Sequence, residues 1–135
     1  WIGDRVMEVY RYLHDRGWAH SVETWNAQGR LVGGLYGVSV GGFFSGESMF
    51  HDPEYGRDAS KTALMRLVCE LGPGLLDVQW STPHLARLGV IDVDPAEYLA
   101  LLSDALERPS PQWTSLDDPA WNGGHLLERL RKMPN

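Results

Sequence analysis

A single cysteine, Cys69, stands in the whole chain, so no internal disulfide can form and the fold must rest on core packing. Its place in an apolar helical pattern reads as a buried thiol rather than a nucleophile. A lone thiol suits a reducing compartment, and a cytoplasmic location is the expectation. No apolar run reaches the ~18 residues that a membrane-spanning helix needs, and the amphipathic N-terminus does not read as a signal peptide. Basic residues are few: 12 Lys and Arg stand against 18 Asp and Glu, for a net charge of −6. That balance argues against broad non-specific contact with nucleic acid, which needs many cations against phosphates. It suits a cationic partner, or a nucleic-acid end held by few contacts. Metal-ligand spacing is also missing. The five His and one Cys form no His-x-x-x-His and no Cys pair, and no calcium-type acidic loop is present. Gly33-Gly34 with Gly37 is followed by a strand pattern rather than a helix, so it is not a dinucleotide fingerprint.

What is present fits one domain of ordinary size: 135 residues, 43% hydrophobic and 22% charged. Six Trp and five Tyr are many for this length, and can fill a core, line a pocket or stack on a planar ligand. The first residue is Trp1 rather than Met, from which a fragment or processed product is expected. Along the chain, Asp4 can cap a helix through Val6, Val9, Tyr10 and Leu13 that stops at Gly17. Trp18 to Trp25 alternates like a strand, and Asn26 to Gly29 is a hairpin turn. Leu31 to Val40 is a Gly-rich strand, in which glycines mark a close approach of backbone or ligand. Gly41-Gly42 turns into a strand from Phe43 to Phe50. Asp58 or Ser60 can cap a helix through Ala63, Leu67 and Leu71, ended by Gly72-Pro73-Gly74. A short strand is expected from Leu75 to Trp80. Thr82-Pro83 opens a short helix, and Asp94-Pro95 opens another through Tyr98, Leu102 and Leu106. Pro109 to Pro119 reads as an irregular tail, and Leu126 to Leu130 as a last helical turn or two. The order predicts an α+β fold, with three antiparallel strands in a meander and helices on the faces of the sheet.

Two acids and one amide interrupt segments that are otherwise apolar: Glu47 in Gly46-Glu47-Ser48-Met49-Phe50, and Asp77 with Gln79 in Leu76-Asp77-Val78-Gln79. A strand facing a core rarely carries an unpaired acid, because burying it costs several kcal/mol, roughly. In an alternating strand Asp77 and Gln79 share a face, as cooperation would require. The spacing alone fits better a core acid and amide that satisfy each other or a loop backbone, and Glu47 equally allows an edge-strand salt bridge. His20 and His84 have no Ser or Cys partner at a motif spacing and read as structural. Lys61 and Arg66 read as a solvated face.

Several words, in unbroken order, resemble the C-terminal domain of the leucyl/phenylalanyl-tRNA–protein transferase family. They are His20-Ser21-Val22-Glu23-Thr24-Trp25, Gly33-Gly34-Leu35-Tyr36-Gly37, Gly46-Glu47-Ser48-Met49-Phe50, Ala59-Ser60-Lys61-Thr62-Ala63-Leu64, Leu76-Asp77-Val78-Gln79 and His84-Leu85-Ala86-Arg87-Leu88-Gly89. The resemblance implies an N-acetyltransferase-like mixed sheet with helices packed on its faces. It implies a catalytic domain over residues 1–108, an irregular tail with a short helix over 109–135, and the absence of the family's N-terminal domain. It implies transfer of Leu, Phe or Met from aminoacyl-tRNA to the N-terminal Arg or Lys of a protein, giving a signal read by the bacterial degradation machinery. By position, Asp77 and Gln79 would be the catalytic pair, Asp77 orienting Gln79 or binding the cationic acceptor. Glu47 would hold the α-amino group of the donor, and Trp1 would stack on the terminal adenine. Leu35, Phe44, Leu64, Leu67 and Leu76 would form the pocket for the donor side chain. The chain departs from the pattern after Phe50, where His51 to Asp58 is longer and more acidic.

An ester is already activated, so aminoacyl transfer to an amine needs neither ATP nor a metal, and no cofactor is expected. The protein must place a neutral amine ~3 Å from the ester carbon, stabilise the oxyanion and handle one proton. Other readings stay open. The unusual loop leaves room for a small amine as acceptor. An acyl-CoA N-acetyltransferase shares the topology, but Gly56-Arg57-Asp58-Ala59-Ser60 lacks the pyrophosphate-binding turn of that class. A non-catalytic module binding basic N-termini also fits the acidic balance.

Overall fold

The computed structural model describes residues 3–113 and residue 132. Helix α1 (Asp4–Asp15) precedes strands β1 (Ala19–Trp25), β2 (Leu31–Val40) and β3 (Phe43–His51). Helix α2 (Ala59–Leu71), strand β4 (Leu75–Asp77), and helices α3 (Pro83–Ala86) and α4 (Pro95–Glu107) follow. The sheet runs β1-β2-β3-β4, antiparallel except for the parallel β3–β4 pair. The architecture is α+β with a mixed four-stranded sheet, and the expected meander is its first three strands.

Local chemistry accounts for most boundaries. Asn26 accepts backbone hydrogen bonds from Gln28 and Arg30, and Gly29 takes a φ of 74°, which closes the β1–β2 hairpin. Thr82 caps α3 through Leu85 N–H, and Asp94 caps α4 through Ala96 and Glu97 N–H, with Pro95 at the first helical position. Two caps differ from expectation. Gly3 occupies the N-cap of α1, and Asp4 is its first helical residue. Asp58 occupies the N-cap of α2 but with φ 62°, and its carboxylate turns to Lys61 at 2.5 Å rather than to the helix amides.

The core lies between the sheet and α2: Leu35, Phe44, Ala63, Leu64, Leu67 and Leu71 pack together. The glycines of β2 make this approach possible. A Cβ on Gly33 would come within 2.5 Å of Ala59 Cβ at the start of α2, and one on Gly37 would overlap the Ser45 carbonyl and the Phe44 ring. Gly37→Ala is therefore expected to cost at least about 2 kcal/mol, since neither backbone nor a buried ring can yield freely. A lowered urea midpoint with unchanged slope checks this. Trp113, in the segment expected to be an irregular tail, packs against the same core. Its ring stacks on His20 with centroids 4.3 Å apart and tilts against Phe44 at 5.7 Å. Burial lowers the His20 pKa below its ordinary value, so the stacked imidazole is neutral at pH 7. The helical turn expected at Leu126 to Leu130 lies outside the described residues. No described helix is long and apolar enough to cross a membrane.

Candidate active site

β4 ends earlier than the sequence suggests, and the reason is the site itself. The strand was expected to run to Trp80 but stops at Asp77. Gln79 takes a φ of 66°, uncommon for a residue with a side chain, and Trp80 N–H donates to the Val78 carbonyl at 2.7 Å. Asp77 and Gln79 thus meet through a tight turn rather than across a pleat. Two hydrogen bonds hold that turn. Gln79 N–H donates to Asp77 Oδ1 at 2.7 Å, and Gln79 Nε2 donates to the Gly46 carbonyl at 2.8 Å. A carbonyl can only accept, so the amide's nitrogen end faces Gly46 and its Oε1 is left as an acceptor. The acid fixes the backbone of Gln79, and β3 fixes its side chain.

The second oxygen of Asp77 is held from α4: Tyr98 Oη donates to Oδ2 at 2.7 Å. That hydrogen bond is the main reason the Tyr98 pKa is raised, with burial second, so the phenol remains a donor well above neutral pH. Tyr98→Phe removes the donor while keeping the ring. It is expected to lower any Asp77-dependent turnover about tenfold or more, as befits a hydrogen bond to a charged group, with the thermal midpoint little changed. Steady-state kinetics with a melting curve on the same sample checks it.

Glu47 occupies a β-bulge. Tyr36 pairs with Ser48 and Gly37 with Gly46, which leaves Glu47 as the extra residue of β3. Its neighbours come from α1 and β2. Tyr10 lies near Glu47, and the Tyr10 pKa is pushed up to about 12 by burial first and by Glu47 second. Tyr36 is also raised, by burial and then by the Glu47 charge, and the two phenols meet edge to face at 5.0 Å. Ser45 Oγ lies 3.4 Å from Glu47 Oε1. Among the described residues Glu47 has a hydrogen-bonding neighbour in Ser45 and no salt bridge, and it sits one residue from the carbonyl that anchors Gln79.

Asp77, Gln79, Leu64, Leu76 and Tyr98 line one cleft of ≈890 Å³. Leu35, Phe44 and Leu67 line neither this cleft nor a smaller one of ≈370 Å³ beside Tyr10 and Tyr36; they are buried in the core, Phe44 at 0% exposure and Leu67 at 1%. Glu47 also lies outside the larger cleft, and Trp1 outside the described residues. Sequence reasoning missed Tyr10, Tyr36 and Tyr98. Their only signal was the number of tyrosines, since each reaches its acid across a tertiary contact. Among the described residues no group of three or more His, Cys, Asp or Glu could hold a metal ion.

The model of the family described as leucyl/phenylalanyl-tRNA protein transferase matches residues 1–103, and the chain belongs to that family. It is 52% identical over 113 residues to the leucyl/phenylalanyl-tRNA–protein transferase of Novosphingobium aromaticivorans, covering 81% of this chain and 41% of that protein. With the corresponding transferase of Rubrobacter xylanophilus it shares 49% identity over 109 residues, covering 78% and 56%. The Caulobacter vibrioides transferase is 52% identical over 112 residues, covering 81% and 50%. The chain spans about half the length of the curated relatives it matches.

Proposed function

We propose that this chain carries the catalytic half of an aminoacyltransferase that moves Leu, Phe or Met from aminoacyl-tRNA to the N-terminal Arg or Lys of a protein. The observation that carries the reading is the turn in which Asp77 and Gly46 together fix Gln79 at the wall of a large cleft. Membership of the transferase family supports it and does not favour the acyl-CoA, small-amine or binding-only alternatives. Within this reading, residues 1–108 form an N-acetyltransferase-like domain, a view supported by a meander continued by a parallel strand across α2.

The roles follow from the hydrogen bonds. The attacking amine is neutral and donates to Gln79 Oε1, the acceptor end of the amide, whose other end is turned to Gly46. Its nitrogen bonds to the ester carbon, the ester C–O bond breaks, and the amine's proton ends on the departing ribose oxygen. Charge builds on nitrogen as the bond forms, and the Asp77 carboxylate, one turn away, offsets it. Glu47, near Tyr10, takes the donor's α-ammonium. Leu64 and Leu76 contribute the apolar wall for the donor side chain; Leu35, Phe44 and Leu67 back that wall from the core. Trp1 remains the candidate to stack on the terminal adenine.

The test is a transfer assay with radiolabelled Phe-tRNA and Leu-tRNA and an Arg-initiated peptide. Label in the peptide, lost with Asp77→Ala, is the expected result. Equal label from the variant, or none from the wild type shown folded by circular dichroism, overturns the reading.

A further inference from the structure

Asp77 is a poor candidate for binding the charge of a basic acceptor. Both of its oxygens already accept, one from Gln79 N–H and one from Tyr98 Oη. Glu47 is taken by the donor's α-ammonium in the proposed reaction and does not line the large cleft. Among the described residues one other acid lines that cleft: Asp92, in the loop between α3 and α4. It is exposed and makes no hydrogen bond or ion pair among the described residues. The same cleft carries Trp80, the residue after Gln79, which is 77% exposed. An exposed indole and a carboxylate that line one cleft are two groups that a guanidinium or ammonium side chain can use together.

We propose that Trp80 and Asp92 form the subsite for the cationic side chain of the acceptor. The side chain lies over the indole and its charge is answered by Asp92, while the α-amine of the same residue reaches Gln79. This rests on the transferase reading for its place in a reaction, but binding alone can be measured without it. Of the two cations on the cleft wall, Lys61 is tied to Asp58, whereas Arg87 has no partner among the described residues. Arg87 would suit a phosphate, so a nucleobase on Trp80 is the competing occupant.

The experiment titrates the 135-residue chain with an Arg-initiated peptide and with its citrulline-initiated, uncharged counterpart, by calorimetry in the absence of any tRNA. The wild type is expected to bind the Arg peptide and to bind the citrulline peptide about tenfold more weakly. Asp92→Asn should remove that difference, and Trp80→Ala should weaken the Arg peptide about tenfold. Each variant is checked for folding by circular dichroism, and Trp80→Phe, which keeps a ring, should recover part of the affinity. No binding by the folded wild type, or equal binding by wild type and Asp92→Asn, overturns the subsite. So does a Trp80→Ala variant that binds peptide normally but needs more aminoacyl-tRNA in the transfer assay. Binding that depends on Asp92 without any transfer keeps the subsite and rejects the reaction. Transfer indifferent to Asp92→Asn does the reverse.

Discussion

Asp77→Asn should reduce aminoacyl transfer by about 10²–10³-fold with the fold intact, the range seen when one preorganised electrostatic group is lost. The substitution is close to isosteric, and its geometry can survive. An Asn side chain can still accept from Gln79 N–H through Oδ1, the bond that is 2.7 Å long in the wild type. Its amide nitrogen can then donate to Tyr98 Oη, because a phenol accepts as well as donates. What disappears is the negative charge near the amine as it becomes cationic. The loss should therefore fall on kcat, with the KM for the peptide changed little, since Asp77 does not hold the acceptor side chain. Asp77→Ala removes the anchor of the turn as well and should be worse. Gln79 would then lose the contact that keeps its φ of 66°, a conformation that costs of order 1–3 kcal/mol outside a supporting structure. Kinetics of the two variants beside circular dichroism separates charge from geometry. Wild-type turnover by Asp77→Asn would leave no electrostatic role for the acid.

This pair also shows where the sequence was readable. Glu47, Asp77 and Gln79 stood out because charged or amide side chains in apolar segments are expensive, and the structure gives each a defined partner. The strands were legible from alternation and the helix starts at Thr82 and Asp94 from local capping chemistry. The Gly-rich strand was rightly read as a site of close approach: Ala59 and Phe44 press on Gly33 and Gly37. What was not legible depends on pairing between distant segments. The bulge at Glu47 arises from the β2–β3 register, which no window within β3 reveals. The left-handed Gln79 is fixed in part by Gly46, 33 residues earlier, so its segment looked like a strand continuing to Trp80. Asp58 looked like a cap and sits at the cap position, but Lys61 competes for its carboxylate and wins. Trp113 seemed part of a formless tail because nothing local marks it; its partners, His20 and Phe44, lie far away in sequence.

Phe44→Ala is expected to cost about 3–5 kcal/mol, as for large-to-small changes at fully buried aromatic sites. The argument is geometric. Phe44 has no exposed surface, and it pairs across the sheet with Ser39 and Leu76. Its ring fills the space that Gly37 leaves open and supports the Trp113 indole at 5.7 Å. Truncation would leave a void that the rigid sheet cannot collapse into, and would loosen the Trp113 contact as well. For a domain whose total stability is of order 5–15 kcal/mol, the loss is a large fraction, equivalent to a fall in thermal midpoint of roughly 10–20 °C. Leu64→Ala offers the informative contrast. Leu64 belongs to the same core but also lines the large cleft, at 9% exposure. Truncating it should cost less, toward ~2 kcal/mol, because its void opens to the cleft and can fill with water. It should also alter the ratio of Phe to Leu transfer, which Phe44→Ala should change only through lost folded protein. Calorimetry of both variants, with donor competition on whatever remains folded, decides this. A Phe44→Ala protein with an unchanged midpoint and an altered donor preference would move Phe44 from the core to the wall of the pocket.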